Sequence, residues 1–196
     1  MTVRWLADAS HIAQAAERLR AGAVIAFPTD TLYGVGARAM DPAAVARLYQ
    51  VKRRPSGQPM VWLVTDRAQV ERFAVVSAVA AELIARFWPG PLTLVLPARE
   101  ASTMPTLAVR APDHAVPMAL MRALGEPIAS SSANPAGEKP PVDADQAIAG
   151  MEGRIDIVLD GGPCRIGQPS TILDLSGPTP RILRQGAIPP AKLREG

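Results

Sequence analysis

Residues 10–31, SHIAQAAERLRAGAVIAFPTDT, carry a helix pattern that is followed at once by a strand pattern. Ser10 is a candidate helix cap and Gly22 a candidate helix end. The apolar residues between them recur on one helical face: Ile12, Ala15, Ala16 and Leu19. The run AVIAF at 23–27 then predicts a short buried strand. A helix followed directly by a strand is the repeating unit of an α/β fold.

The same alternation continues along the chain. Asp41 and Pro42 predict the start of a second helix, which ends before Pro55. Further helices are predicted at 77–88 and 116–124 and from about 143. Strands are predicted at PMVWLV, LTLVLP, LAVR, PIASSS, IDIVLD, STILDL and RILR. The last strands follow one another without helices, so we expect an α/β protein with a mixed sheet of about eight strands and about five helices.

Composition narrows the class of protein. The 196 residues suit one domain, 1–196, with 48% hydrophobic and 20% charged residues. No apolar run approaches the roughly 18 residues of a membrane span, and Cys164 is the only cysteine, so we expect a cytoplasmic protein without disulfides. The histidines, His11 and His114, are far apart and no CxxC occurs, so no metal site is expected. The Pro-rich tail from Ile188 is expected to be a loose end.

Polar clusters lie at the ends of the predicted strands. They are FPTDT after the first strand, KRRPSGQP before PMVWLV, Arg110, SSSAN, GQPST and Arg184. Ligands of α/β sheets bind where strand ends and their loops converge. The sequence therefore predicts one site assembled from all these segments.

Lys52 continues the inward helical face of Val45, Leu48 and Tyr49, whereas Arg53 should point to solvent. Two interpretations stay open. The cations can simply complement the C-terminal end of the helix dipole, or Lys52 and Arg54 can hold phosphate as partly solvated cations beside a cleft. A charge of +3 permits either an RNA or a polyphosphate ligand and requires neither.

The segment SSSAN also has two interpretations. It is either an ordinary turn or a polar surface on which Ser132 and Asn134 face a ligand. A nucleophilic serine is disfavoured because GxSxG is absent and only His114 could act as its base. The phosphate loop GxxxxGK[ST] is absent too, so basic side chains would have to hold any phosphate. Cys164, in a Pro/Gly-flanked loop, is expected to be a bystander.

Several segments together resemble the threonylcarbamoyl-AMP synthase family, also called the YrdC/Sua5 family. They are PTDTLYGVG, the KxR of Lys52 and Arg54, WPGPLTLVLP, LAVRAPDH, the SxN of Ser132 and Asn134, LDGGPCRIGQPSTILDL and ILRQGAI. The resemblance covers about residues 10–190, and the paired KxR and SxN in this order are its most specific part. The chain is similar to the short, single-domain bacterial form.

The resemblance implies a twisted, open mixed sheet with flanking helices and a basic concave face. It also implies a reaction in which L-threonine, bicarbonate or CO2, and ATP with Mg2+ give L-threonylcarbamoyladenylate and pyrophosphate. Downstream threonylcarbamoyl transfer proteins would then modify adenosine 37 of tRNA. Direct contact with RNA or tRNA is compatible with this role, and membrane association is not expected.

The resemblance also assigns residues by position. The implied threonine contacts are Thr31, Arg110, Ser132 and Ser170. The implied ATP contacts are Lys52, Arg54, Gln58, Thr106, Asn134 and Arg184, with Lys52 and Arg54 also assigned to catalysis. Leu63 and Val142 depart from the family pattern, because some members carry a histidine at the first position and Thr or Ser is usual at the second.

Two alternatives remain open at this point. One is a non-catalytic RNA-binding or ribosome-associated module that uses the same basic face; its affinity would fall steeply with salt. The other is a paralogous branch of the same fold with unestablished chemistry; that branch lacks the paired KxR and SxN, which this chain keeps.

Overall fold

The computed structural model describes residues 1–55, 58–100 and 104–194, so Ser56 and Gly57 of the KRRPSGQP segment lie outside it. The strands are β1 (Val3–Leu6), β2 (Ile25–Phe27), β3 (Gly34–Arg38), β4 (Val61–Leu63), β5 (Leu92–Pro97), β6 (Thr106–Arg110), β7 (Ile128–Ser132), β8 (Ile157–Asp160), β9 (Thr171–Asp174) and β10 (Arg181–Arg184). The helices are α1 (Ala9–Arg20), α2 (Pro42–Lys52), α3 (Arg67–Glu71), α4 (Ala78–Phe87), α5 (Ala115–Leu124), α6 (Ala144–Met151) and α7 (Pro190–Arg194). Within these ranges, no helix combines the length and the apolar character that crossing a membrane requires.

All the strands belong to one sheet in the order β1-β8-β2-β3-β7-β4-β6-β5-β9-β10. The pairs β1/β8, β2/β8, β4/β6 and β5/β9 are parallel, and the other neighbours are antiparallel. The predicted α/β class and mixed sheet are confirmed. The sheet is open, because β1 and β10 are edge strands.

Helix starts follow the capping signals closely. The Asp41 carboxylate accepts hydrogen bonds from the backbone N–H groups of Ala43 and Ala44, and Pro42 occupies the first turn of α2, as predicted. The predicted cap of α1 is wrong. Asp8, rather than Ser10, caps that helix by accepting a hydrogen bond from the His11 N–H at 2.9 Å.

The strand β3 lies in a glycine-containing segment for which the sequence pattern predicted no strand. It pairs with both β2 and β7, and a Cβ atom at Gly36 would lie 2.5 Å from the Ile128 side chain. A larger residue would push β3 away from its neighbour. Gly36 is therefore required by close packing within the sheet and not by a turn.

Successive side chains of a strand point to opposite faces of the sheet, so a hydrophobic cluster forms on each face. Ile25 and Phe27 of β2 pack with α1 and α5, whereas Ala26 faces the opposite cluster with Leu48 of α2. A third cluster joins α4 to β5, β6 and β9. The sheet is thus covered on both faces, which leaves its strand ends as the place for a site.

The Pro-rich tail is not a loose end as far as the structure describes it. Ile188 is buried, and its backbone N–H and carbonyl both bond to the hydroxyl of Thr171, at 3.0 and 2.8 Å. This pair of bonds holds the tail against β9. The expectation failed because the anchor is a single threonine hydroxyl far away in sequence.

Candidate active site

A cleft of about 250 Å³ opens at the strand ends. The residues that line it include members of every predicted polar segment: Thr31, Arg54, Arg110, Ser132, Ser170 and Arg184. The sheet order explains why they meet. Strand β7 lies beside β3 and β4, and β6, β5, β9 and β10 follow in turn, so segments distant in sequence become neighbours. The predicted convergence on one cleft is confirmed.

Arg110, at the end of β6, is 6% exposed and is held at three points. Its Nε donates to the Gly90 carbonyl at 3.0 Å, its Nη1 to the Thr31 hydroxyl at 2.9 Å, and its Nη2 to the Asp30 carboxylate. Burial lowers the pKa of Arg110, while the Asp30 charge acts in the opposite direction. A guanidinium carries five N–H groups, so one N–H on each terminal nitrogen remains beyond these contacts.

The PTDT loop supplies two of the three acceptors for that arginine, Asp30 and Thr31. The Thr29 hydroxyl accepts from the N–H groups of Thr31 and Leu32 and donates to the Leu32 carbonyl at 2.7 Å. This local network fixes the turn after β2. Thr31 can then present its hydroxyl to Arg110, while Asp30 points beneath the cleft with 1% exposure.

Ser170 and Arg184 form a second polar group in the cleft. The Arg184 Nη2 donates to the Ser170 carbonyl at 2.9 Å and to the Ser170 hydroxyl at 3.0 Å. The Thr93 hydroxyl lies 2.8 Å from the same Ser170 hydroxyl. Strands β5, β9 and β10 are adjacent in the sheet, and this order brings Thr93, Ser170 and Arg184 together.

Arg54 lies in the chain just after α2. Its Nε and Nη2 donate to the carbonyls of Gln58 and Pro59, both at 3.0 Å. Among the described residues, neither Arg54 nor Arg184 forms an ion pair with a carboxylate. Burial lowers the pKa of both arginines, and the charge of Arg54 further lowers that of Arg184. Two mutually repelling cations that lack a carboxylate partner favour an anionic ligand.

Lys52 faces inward as predicted, and Arg53 is exposed as predicted. The expectation of a partly solvated Lys52 is wrong, because the residue is only 1% exposed. Its ammonium donates to the carbonyls of Ser132 and Asn134, at 2.5 and 2.7 Å. Burial, followed by the charge of Arg54, lowers its pKa to about 8. The helical pattern gave the direction of the side chain but not the depth of its pocket.

The structure places the remaining predicted nucleotide contacts outside the residues that line the cleft. Gln58 is exposed, Thr106 begins β6, and Asn134 is buried. The Asn134 amide nitrogen donates to the carbonyls of Pro135 and Glu138, both at 2.8 Å, which closes a turn after β7. Their roles in nucleotide binding stay predictions. The basic character of the whole concave face also stays a prediction.

The two positions that depart from the family pattern lie in different surroundings. Leu63 lines the cleft, so its side chain gives the site an apolar wall where a histidine would give a polar one. Val142 is not among the lining residues, and its carbonyl accepts the Cys164 N–H at 2.8 Å. Only the Leu63 departure changes the wall of the cleft.

Sequence reasoning missed Asp30 and Thr93. In the sequence, Asp30 resembles an ordinary turn residue. No neighbouring residue indicates that its carboxylate pairs with an arginine 80 positions away. Thr93 offered a signal, since it is a hydroxyl residue within the apolar run LTLVLP. Its side chain is fully buried, so its hydroxyl needs a partner, which is Ser170.

The structure also describes the two residues considered as nucleophile or base, Cys164 and His114. Burial raises the pKa of the Cys164 thiol to about 11, so the thiolate is scarce near neutral pH. The His114 Nδ1 accepts the Val116 N–H at 3.2 Å and caps α5, and burial lowers the pKa of the ring. In the described ranges, no cluster of three or more metal-ligating side chains occurs.

The sequence of this chain matches one family of known proteins. The family model Sua5_yciO_yrdC, described as telomere recombination, matches residues 17–186. A threonylcarbamoyl-AMP synthase from Bacillus subtilis is 40% identical in an alignment of 203 positions that covers 95% of this chain and 59% of the relative. One from Pyrococcus abyssi is 41% identical in an alignment of 182 positions that covers 89% of this chain and 54% of the relative. The chain thus spans a little over half the length of these relatives.

Solved structures agree with these sequence matches. Pyrococcus abyssi Sua5 complexed with L-threonine superposes with a TM-score of 0.92 at 38% identity, covering 98% of this chain and 59% of that one. Escherichia coli YciO superposes with a TM-score of 0.86 at 27% identity, covering 95% and 97%. Both solved structures therefore share the fold of this chain. The chain therefore belongs to the Sua5/YciO/YrdC family.

Proposed function

We propose that the protein is an L-threonylcarbamoyladenylate synthase, which joins L-threonine, bicarbonate or CO2, and ATP and releases pyrophosphate. One observation carries the proposal: a single cleft holds the anchored Arg110 together with Arg54 and Arg184, which have no carboxylate partner in the described part of the chain. The relatives named threonylcarbamoyl-AMP synthase and the Sua5 complexed with L-threonine support it.

Arg110 binds the threonine carboxylate in this proposal. Its two remaining N–H groups, one on each terminal nitrogen, match the two oxygens of a carboxylate in a bidentate pair. The hydroxyls of Thr31, Ser132 and Ser170 line the same cleft and can bond to the polar groups of the amino acid. Leu63 and Val61 supply apolar surface for the threonine methyl group.

Arg54 and Arg184 bind the ATP phosphates. Negative charge develops on the leaving pyrophosphate during adenylation, and fixed cations in a cleft stabilise it. Mg2+ arrives with ATP as part of the substrate, since no carboxylate of the described residues lines the cleft and Asp30 beneath it is paired with Arg110. The predicted ATP contacts of Gln58, Thr106 and Asn134 belong to the same proposal. The predicted ATP contact of Lys52 does not, because its ammonium is bonded to the carbonyls of Ser132 and Asn134, and its role is argued below.

The chemistry proceeds in two steps that need no covalent enzyme intermediate. The neutral threonine amine attacks CO2 and loses a proton, which gives a carbamate. A carbamate oxygen then attacks the α-phosphorus, and pyrophosphate leaves. Because the carbamate is unstable, the enzyme contributes chiefly by holding both reactants in line and by shielding them from water. The product would pass to downstream proteins that modify tRNA adenosine 37.

Labelled bicarbonate tests the proposal. Incubation of the protein with MgATP, L-threonine and radioactive bicarbonate should give a labelled product that contains adenosine, threonine and the label in one molecule. L-Valine, which replaces the hydroxyl by a methyl group, should give far less. A product without the bicarbonate label would contradict the proposal.

The alternative of a non-catalytic RNA-binding module gives a different result. Its affinity for RNA would fall linearly with the logarithm of salt concentration, and L-threonine would not affect it. Saturable binding of L-threonine with little salt dependence supports the enzyme instead.

A further inference from the structure

Lys52 contacts one short segment of the chain through both its side chain and its backbone. Its ammonium donates to the carbonyls of Ser132 and Asn134, and its own carbonyl accepts the Ala136 N–H at 3.1 Å. Three hydrogen bonds therefore join the last residue of α2 to residues 132–136. The KxR and SxN segments, which the sequence shows only as separate patterns, are physically linked through this residue.

The ammonium is enclosed by protein. Lys52 is among the largest fully buried side chains, and it is not one of the residues that line the cleft. Its charge forms no ion pair with a carboxylate of the described residues, so the two carbonyl dipoles compensate it. Removing a charged donor leaves buried carbonyls unsatisfied, and each such loss is costly.

The link matters because each of the two segments that it joins contributes a residue to the cleft. Ser132 lines the cleft at the end of β7, and Arg54 lines it just beyond α2. Arg53 adopts a left-handed conformation, with φ 50°, which ends the helix and turns the chain toward Arg54. Fixing Lys52 against residues 132–136 therefore fixes the spacing between Ser132 and Arg54.

We propose that Lys52 is a positioning residue, whose buried ammonium holds residues 132–136 against the end of α2 and so sets Ser132 relative to Arg54, and that it does not bind phosphate itself. Which ligands Ser132 and Arg54 bind rests on the proposed function. The link itself does not, because it follows from hydrogen bonds within the chain.

Amide hydrogen exchange on the whole protein tests the link without any substrate. Lys52→Met keeps a long apolar stem and removes the donor, and Arg53→Met on the exposed neighbour is the matched control. We expect exchange in residues 132–138 to accelerate by at least about tenfold in Lys52→Met and to stay unchanged in Arg53→Met. Unchanged exchange in Lys52→Met would overturn the proposal.

Steady-state kinetics then separate positioning from phosphate binding. Misplacing both Ser132 and Arg54 should raise the KM for L-threonine and the KM for ATP together. A rise in the KM for ATP alone, with normal exchange, would identify Lys52 as a phosphate ligand and overturn the proposal. Normal KM values with a lower melting temperature would reduce it to a purely structural residue and also overturn it.

Wild-type protein provides a measurement that does not depend on a variant folding. The chain contains three lysines, Lys52, Lys139 and Lys192, and the last two are exposed. With 15N-lysine labelling, we expect slowly exchanging ammonium protons for Lys52 alone, both before and after addition of MgATP. Rapid exchange of the Lys52 ammonium in the free protein would contradict the link. If the protein lacks synthase activity, the proposed function fails while this result still stands.

Discussion

The carboxylate of Asp30 and the guanidinium of Arg110 form an ion pair beneath the cleft, with both side chains almost fully buried. The second carboxylate oxygen, Oδ2, has no hydrogen-bond partner among the described residues. Asp30 therefore contributes through Arg110: it balances the buried positive charge and sets the plane of the guanidinium. The orientation of the two remaining N–H groups depends on this pair.

Asp30→Asn should destabilise the protein by about 3 kcal/mol, because it leaves a buried guanidinium without a counter-charge. The KM for L-threonine should rise as well, since Arg110 loses its orientation. Urea unfolding and threonine kinetics measure the two effects. Asp113→Asn is the control: its ion pair with Arg165 is exposed, so a change below about 1 kcal/mol is expected. Equal stability of the two variants would refute a role for Asp30.

Arg54→Ala should slow pyrophosphate release by a factor that corresponds to about 2 to 4 kcal/mol in the transition state, because a phosphate contact in the cleft is lost. Arg53→Ala should have little effect, since Arg53 is exposed. Both proteins should melt near the wild-type temperature. Comparable loss of activity in the two variants would mean that the cations act through overall charge and not through a defined contact.

Lys52 should make stability depend on pH. Its pKa falls from 10.5 in the unfolded chain to about 8 in the folded protein. Between these values the unfolded chain binds more protons, so the free energy of unfolding rises with pH. The rise due to this residue is at most about 3 kcal/mol. Chemical unfolding at pH 7.5 and pH 10 should show that the free energy of unfolding of wild type rises relative to that of Lys52→Met, because the other titrating groups are common to both proteins; parallel profiles would contradict it.

Cys164→Ser should leave activity nearly unchanged. Burial keeps the thiol protonated near neutral pH, and neither reaction step needs a thiolate. Pyrophosphate release by the variant and its melting temperature should be measured together. A loss of more than about tenfold, or roughly 1.4 kcal/mol, in a variant that stays folded would point to a nucleophilic cysteine.

Local signals predicted much of the fold. Asp41 and Pro42 mark the start of α2, and the run LTLVLP matches β5 residue for residue. The missed strand β3 shows the limit. Its glycines resemble turn residues in the sequence. The structure shows that Gly36 leaves room for the Ile128 side chain of β7 beside it. Sheet order depends on such distant pairings, which local patterns do not encode.

The site was predictable where a polar residue lies at a strand end, as with Arg110 and Ser132. It was not predictable where one side chain holds another part of the site in place through a hydrogen bond or an ion pair. The depth of Lys52 and the pairing of Asp30 depend on residues about 80 positions away. Sequence position therefore identified the groups that face the cleft but not the groups that hold them in place.

Pyrophosphate release is the measurement that tests the proposed activity most directly. The wild-type protein with MgATP should release pyrophosphate only when L-threonine and bicarbonate are both present, and D-threonine should not replace the L form. Omission of each component provides the control within one experiment. Equal release with D-threonine, or without bicarbonate, would contradict the assignment of this cleft to threonylcarbamoyladenylate synthesis.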